Sequence, residues 1–224
     1  DRAWLVVKTL AGGQSNPTYL LTSGDQQFVL RKQPDGPLLK SAHAIDREYR
    51  VISALQNSAV PVPKAIAWCD DVSIVGTPFY LMSYLDGRVF VDQSLPSLSV
   101  AEREHVYKEM NRVIAALHQV DPDAVGLSDY GRREGFITRQ VERWSRNLQN
   151  STLSLSDDMR FMMDWLPSHL PQESHSVLIH GDYRLDNLIF DANELRVIGV
   201  LDWELSTLGD PISDFAYHCM SWHI

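Results

Sequence analysis

The stretch "VLIHGDYRLDNLIFD", residues 177–191, decides the reading. An apolar run, Val177 to Ile179, feeds straight into His180, Gly181 and Asp182. Asn187 follows five residues after Asp182, and a second apolar run leads away from it. A third run, "VIGVLD", ends on Asp202. Buried strands commonly close on neutral turn residues, but these close on groups that can hold a proton or a metal ion. Phosphoryl transfer asks a protein for little more. It needs a carboxylate beside the attacking hydroxyl and a few oxygen ligands for Mg²⁺ bridging the phosphates. Asp182 suits the first task, and Asn187 with Asp202 the second. Five residues let one loop present Asp182 and Asn187 to the same space. Either aspartate alone reads more simply as a turn cap or a strand end. A zinc hydrolase built on His180 and Asp182 is a further reading, but no second histidine has ligand spacing, and His175 falls on a different part of the turn.

The bulk composition is compatible with a packed enzyme. The 224 residues are 44% hydrophobic and 22% charged, which is ordinary for a globular chain. A formal net charge of -9 and a pI near 5.3 argue against nonspecific binding to nucleic acid or anionic membrane. Cys69 and Cys219 stand far apart, which suits reduced thiols in the cytoplasm. No apolar run approaches the ~18 residues of a membrane span, and no charged-then-apolar leader opens the chain.

The first third reads as strands. "PTYLLTS" and "QQFVLRKQ" flank Gly24-Asp25, a hairpin turn. "SAHAIDREYRVISALQNS" reads as a helix with Ser41 at its start, "VPVPKAIAWCDD" as a connector into a short strand, and "TPFYLMSYLDG" as a strand ending at Asp86-Gly87. Beyond Gly87 the period changes. Ser99 and Glu102 fit a capping box, and Val106, Met110, Val113, Ile114 and Leu117 recur at helical spacing. "FITRQVERWSRNLQN" and "SDDMRFMMDWLPSHL" read as helices, and another begins at Pro211. The expected fold is α+β in two lobes. Residues 1–86 would form an antiparallel sheet with one helix, and residues 87–224 a mostly helical lobe with a small strand insert. A cleft between them is a usual place for a ligand.

With those motifs in place, a resemblance becomes plain. "IHGDYRLDN" followed by "VLDWELSTLGDPISDFAY" resembles the aminoglycoside phosphotransferase superfamily, relatives of protein kinases. "GGQSNPTYLL", "FVLRKQPDG", "SAHAIDREYRVISAL" and "GTPFYLMSYLDGR" extend it over nearly the whole chain. Together they resemble the branch found fused to, or encoded beside, acyl-CoA dehydrogenases. The resemblance implies ATP and Mg²⁺ as cofactors and a small-molecule hydroxyl as acceptor. It also implies an acyl-CoA dehydrogenase as partner or fusion. Asp182 falls at the catalytic-base position, and Asn187 and Asp202 at the two metal positions. His180 would hold the loop rather than react, and Asp214 would brace it. Asp210 reads as a helix cap. Arg184 falls where kinases carry a phosphate-touching lysine, and a guanidinium there could clamp phosphate oxygens. A surface arginine is the plainer alternative.

In the N-terminal third, Gly12, Gly13, Ser15 and Asn16 lie between two strands, where a loop could cover nucleotide phosphates. Two glycines in a hairpin loop are otherwise just a turn. Arg31 fills the position where the family usually has a phosphate-binding lysine paired to a helix glutamate. Glu48 lies three residues after Ile45 and four before Ile52, on an apolar helix face, so it needs a cation. Val29 and Arg31 share one face of their strand, and using Lys32 instead would turn Val29 away. The resemblance also implies adenine contacts at the Ser83 and Leu85 backbone, with Met82 behind them. Family members continue through further helices, so part of the acceptor site is expected beyond residue 224. Arg139, Arg143 and Trp144 read as a solvated helix face. A pseudokinase that binds nucleotide and regulates a partner is the alternative, kept open by arginine in the lysine position.

Overall fold

The structure, a computed structural model, describes residues 5–10, 16–36, 45–152 and 154–223. Five strands form the first sheet: β1 (Leu5–Thr9), β2 (Thr18–Ser23), β3 (Gln26–Lys32), β4 (Ala65–Cys69) and β5 (Phe79–Ser83). Their order is β1-β2-β3-β5-β4, with every neighbour antiparallel. Ser23 pairs with Gln26, so Gly24 and Asp25 form a two-residue hairpin loop, and Gly24 takes a φ of 59° that a side chain would resist.

Helix α1 (Ile45–Ala54) lies against this sheet. Its period buries Ile45, Val51 and Ile52, and Tyr49 packs on Trp68 and Tyr80 at 5.9 and 5.7 Å between ring centroids. The helix start expected at Ser41 falls outside the described residues. One element was not anticipated, and one expectation needs correcting. The segment after Cys69 contains one helical turn, α2 (Val72–Val75), capped by Asp71 and closed by Gly76 at φ 88°. It is too short to show a period. Strand β5 ends at Ser83, not at Asp86. The chain then leaves the sheet and forms the two-residue strand β6 (Gly87–Arg88) against the second half of the molecule. Gly87 permits that approach, because a Cβ there would stand 2.3 Å from the Phe190 carbonyl oxygen.

The second half holds α3 (Val100–His118), α4 (Phe136–Gln149), α5 (Asp157–Trp165) and α6 (Pro211–Met220). Between α5 and α6 lie β7 (Val177–Ile179), β8 (Leu188–Asp191), β9 (Val197–Val200) and β10 (Thr207–Gly209). They make a β6-β8-β9 sheet and a β10-β7 pair. Helix α3 buries all five residues of its apolar stripe, and one core runs from Val29, Ile52 and Met82 to Met110, Leu117 and Trp203. Arg47 also ties α1 to the second half, donating to the Tyr130 carbonyl at 2.8 Å with its guanidinium over the Tyr130 ring. Arg143 and Trp144 on α4 face solvent, stacked on each other at 5.4 Å. Among the described residues no helix is long and apolar enough to cross a membrane.

The capping box at the start of α3 is complete, with the Ser99 N–H donating to Glu102 at 2.8 Å and Ser99 Oγ accepting from the Glu102 N–H. Ser99→Ala should cost about 1 kcal/mol. In a thermal melt that corresponds to a Tm lower by about 2–4 °C.

Candidate active site

The loop between β7 and β8 is held from beneath by one carboxylate. Asp214, on the first turns of α6, accepts the backbone N–H of His180 at 2.6 Å and of Gly181 at 2.7 Å. Asp210 caps that helix through the Ile212 N–H at 2.9 Å, as its place before Pro211 suggested. Gly181 sits at φ 83°, and a Cβ there would lie 2.6 Å from the Leu205 carbonyl oxygen. The loop can therefore turn at this point only with glycine.

His180 is fully buried, and both ring nitrogens are spent on backbone. Nε2 donates to the Leu201 carbonyl at 2.8 Å, while Nδ1 accepts from the Asp182 N–H at 3.2 Å. No nitrogen remains for a substrate proton or a zinc ion. These two bonds make His180 a residue that positions the loop. Among the described residues no set of three or more His, Cys, Asp or Glu side chains is arranged to hold a metal.

Asn187 closes the loop. Its amide nitrogen donates to the Asp182 carbonyl at 2.9 Å and to Asp182 Oδ2 at 3.0 Å. This leaves the amide oxygen as its free end. The Asn187 carbonyl in turn accepts the Leu201 N–H at 2.9 Å. Leu201 is thus gripped on its N–H by Asn187 and on its carbonyl by His180, and Asp202 is the next residue. Asp202 adopts φ 64° and ψ 59°, a left-handed conformation that aspartate tolerates better than most residues.

Arg31 meets this group from β3. Its Nη2 lies 2.7 Å from Asp202 Oδ1 and its Nε 2.9 Å from Glu48 Oε2. Lys32 points to the other face and pairs with Asp35 at 3.0 Å. Glu204 adds a third negative charge near the guanidinium, and buried Asn16 reaches Glu204 at 3.5 Å. Three carboxylates share one cation, and the charges respond. Burial works against the Arg31 charge, but Glu48, Tyr80, Asp202 and Glu204 outweigh it and hold its proton more tightly than usual. Burial above all pushes the Glu48 carboxyl up to about 7, against the pull of Arg31 and with the push of Asp202.

A cleft of about 120 Å³ opens beside Arg31, with Glu48, Asp202, Met82, Ser83 and Leu85 in its wall. The Ser83 N–H is already spent on the Lys64 carbonyl at 2.9 Å, so a ligand cannot take that donor without breaking the bond. Leu85 packs on Gly199, where a Cβ would meet its Cδ1 at 2.3 Å. Gly12, Gly13 and Ser15 lie outside the described residues. Arg184 stands apart from this cleft. It pairs with Asp186 at 3.1 Å, comes within 3.5 Å of Asp182 Oδ2, and lines a second cavity of about 450 Å³. Tyr217, which sequence reasoning passed over, shares that cavity, and the nearby Asp182 carboxylate and then burial push its phenol up to about 12. Its spacing from Asp214 on α6 was the signal that could have found it.

Residues 6–224 match the model of the phosphotransferase enzyme family, APH. The chain belongs to this family. Among relatives similar to this family member is acyl-CoA dehydrogenase family member 10 of Mus musculus. It is 49% identical over 212 residues, which is 95% of this chain and 20% of the mouse protein. The chain thus spans about a fifth of that relative's length. A crystal structure from Ralstonia eutropha, described provisionally as an aminoglycoside phosphotransferase, is 50% identical with a TM-score of 0.90. The match covers 100% of this chain and 66% of that one. An APH(2″)-IIa complex with streptomycin and ATP shares the fold at 20% identity and a TM-score of 0.68, over 96% of this chain and 70% of that one. The fold is the kinase-like α+β fold of these phosphotransferases.

Two outcomes test the geometry. Gly181→Ala should unfold at lower denaturant than wild type by about 1–3 kcal/mol, because the strained turn and the Leu205 clash act together. Glu48 makes the second test. An acid whose folded-state pKa lies above its unfolded value stabilises most at low pH and loses that contribution as the pH rises. The stability of wild type relative to Glu48→Gln should therefore fall between pH 4.5 and about 7 and be flat on either side. A difference that grows with pH over that window would contradict the raised pKa.

Proposed function

We propose that this chain is a phosphotransferase that moves the γ-phosphate of ATP, with Mg²⁺, to a hydroxyl of a small molecule. The observation that supports it best is the double grip on Leu201. It brings Asp182, Asn187 and Asp202 into one neighbourhood, with Arg31 on the nucleotide side at 2.7 Å from Asp202. In this reading Asp182 takes the proton of the acceptor hydroxyl. Arg31, oriented by Glu48, grips phosphate under the loop that carries Gly12, Gly13, Ser15 and Asn16. Arg184 faces phosphate oxygens from the acceptor side. Met82, Ser83 and Leu85 flank the base. Residues 1–86 would act as the nucleotide lobe and 87–224 as the catalytic lobe.

The donor set suits Mg²⁺. Asn187 and Asp202 offer hard oxygen ligands, few in number, and the Asn187 amide oxygen is the end left free by its bonds to Asp182. When bound, the ion neutralises phosphate charge. The acceptor class we favour is a hydroxylated acyl acid or acyl-CoA, a choice supported by the acyl-CoA dehydrogenase names of the chain's relatives. An acyl-CoA dehydrogenase, as fusion or partner, follows from the same names. One observation favours a second reading, a nucleotide-binding regulator. Arg31 is already engaged by Asp202 and stands where the family's lysine would be.

Asp182→Asn should lower turnover by about 10²- to 10⁴-fold. It should leave ATP affinity, measured by calorimetry, nearly unchanged. Retained turnover on the true acceptor would remove Asp182 from the role of base. Tight ATP binding with no ADP formed across a panel of hydroxyacyl compounds would favour the regulator.

A further inference from the structure

Arg47 directly precedes Glu48 on α1, and the two side chains have different anchors. Glu48 meets Arg31 at 2.9 Å. Arg47 reaches the second half of the molecule. Its Nη2 donates to the Tyr130 carbonyl at 2.8 Å and to the Ser206 carbonyl at 3.4 Å, and its guanidinium lies 4.0 Å from the centre of the Tyr130 ring. Tyr130 is buried, and its hydroxyl reaches back to the Arg47 carbonyl at 3.3 Å and to Ser206 Oγ at 2.7 Å. About one turn further on, Arg50 donates to the Gly126 carbonyl at 2.8 Å and pairs with Asp129. The acceptors at Tyr130, Ser206 and Gly126 are main-chain oxygens, so the clamp has fixed geometry. Ser206 stands four residues beyond Asp202. The clamp therefore joins α1 to the segment whose aspartate already holds the far end of Arg31.

We propose that Arg47 is a positioning residue for the nucleotide side of the cleft. By clamping α1 to Tyr130 and Ser206 it fixes Glu48, and through Glu48 the Arg31 guanidinium. This side of the site then stands assembled before any ligand arrives. The nucleotide role of Arg31 in this scheme rests on the phosphotransferase reading above. Helix α1 meets its own sheet through apolar side chains such as Tyr49 on Trp68 and Tyr80, and apolar contact is non-directional. It resists separation better than it resists a slide or a tilt. A slide of about 1 Å takes a 2.9 Å pair out of hydrogen-bonding range. Bonds to fixed carbonyls are directional, and Arg47 makes them at the residue next to Glu48. With α1 free to move, only a fraction of molecules would present Arg31 in place. The apparent affinity for phosphate would fall by that fraction.

Amide hydrogen exchange and calorimetry with ATP and Mg²⁺ test this. In wild type the Val51 and Ile52 amides of α1 should exchange as slowly without ATP as with it, because the helix is already held. Arg47→Met keeps the apolar stem and removes the guanidinium. It should speed exchange at those amides and weaken ATP binding, each about tenfold, the equivalent of one lost hydrogen bond to a charged group. Arg47→Lys should recover most of the affinity, since an ammonium keeps a donor and a charge over the Tyr130 ring. The double variant Arg47→Met/Glu48→Ala should bind ATP no more weakly than Glu48→Ala, because Arg47 acts through Glu48. A merely structural residue would add its loss in full. Three results each overturn the inference: α1 amides that become protected only when ATP binds, full additivity in the double variant, or unchanged ATP affinity in an Arg47→Met protein that melts normally. The first needs no variant and decides the matter even where Arg47→Met fails to fold. Failure of the wild type to bind ATP overturns the phosphotransferase reading instead, and exchange in Arg47→Met then still decides whether the clamp holds α1.

Discussion

One buried guanidinium holds the site in register. Arg31 reaches Glu48 through Nε and Asp202 through Nη2, two atoms that point in different directions. A lysine ammonium is a single point and could not be shared in the same way. The strand that carries Arg31, the helix that carries Glu48 and the segment that carries Asp202 are joined by this one group. Its value lies in constraint more than in stability. Burying charge is costly, and a well-paired buried ion set often contributes little net free energy, yet removing one member leaves the others uncompensated. Three carboxylates around one cation also leave an excess of negative charge. That excess is the physical reason the site would welcome further positive charge.

The second constraint is mostly backbone. Asp214, His180 and Asn187 direct their side chains at main-chain groups. The loop thus presents Asp182 to the open side while its scaffold is closed to water. Such preorganised placement is what positioning in phosphoryl transfer requires.

Much of this was legible because it is written in short periods. The hairpin at Gly24-Asp25, the capping box at Ser99 and the apolar stripe of α3 follow from local spacing. The choice of Arg31 over Lys32 followed from strand alternation, and the Lys32 pair with Asp35 shows the faces are as expected. Other features were hidden. The Arg31–Asp202 contact joins residues 171 apart, and no local pattern encodes it. Helix α2 is a single turn set by its caps, too brief for any period. Strand β5 ends early because the chain must leave to pair β6 with β8, a long-range demand. Tyr217 lay within an apolar-looking stretch of α6, and only the helix phase relative to Asp214 would have revealed it. The glycines of the 11–15 segment fall outside the described residues, so their expected place over phosphates rests on sequence.

The grip on Leu201 has a wider consequence. The spacing between Asp182 and Asp202 is set by two bonds to the Leu201 main chain, one from the His180 ring and one from the Asn187 carbonyl, and none of the side chains that line the second cavity takes part in it. Tyr107, Met110, Tyr217 and Met220 belong to α3 and α6 and make no contact with the Leu201 peptide bonds described above. In the proposed reaction, the two ends of the centre would thereby be mechanically separable. Selection, or an engineer, could recast the wall of that cavity for a different compound and inherit the opposite end unaltered, which is how a single scaffold comes to serve many chemistries.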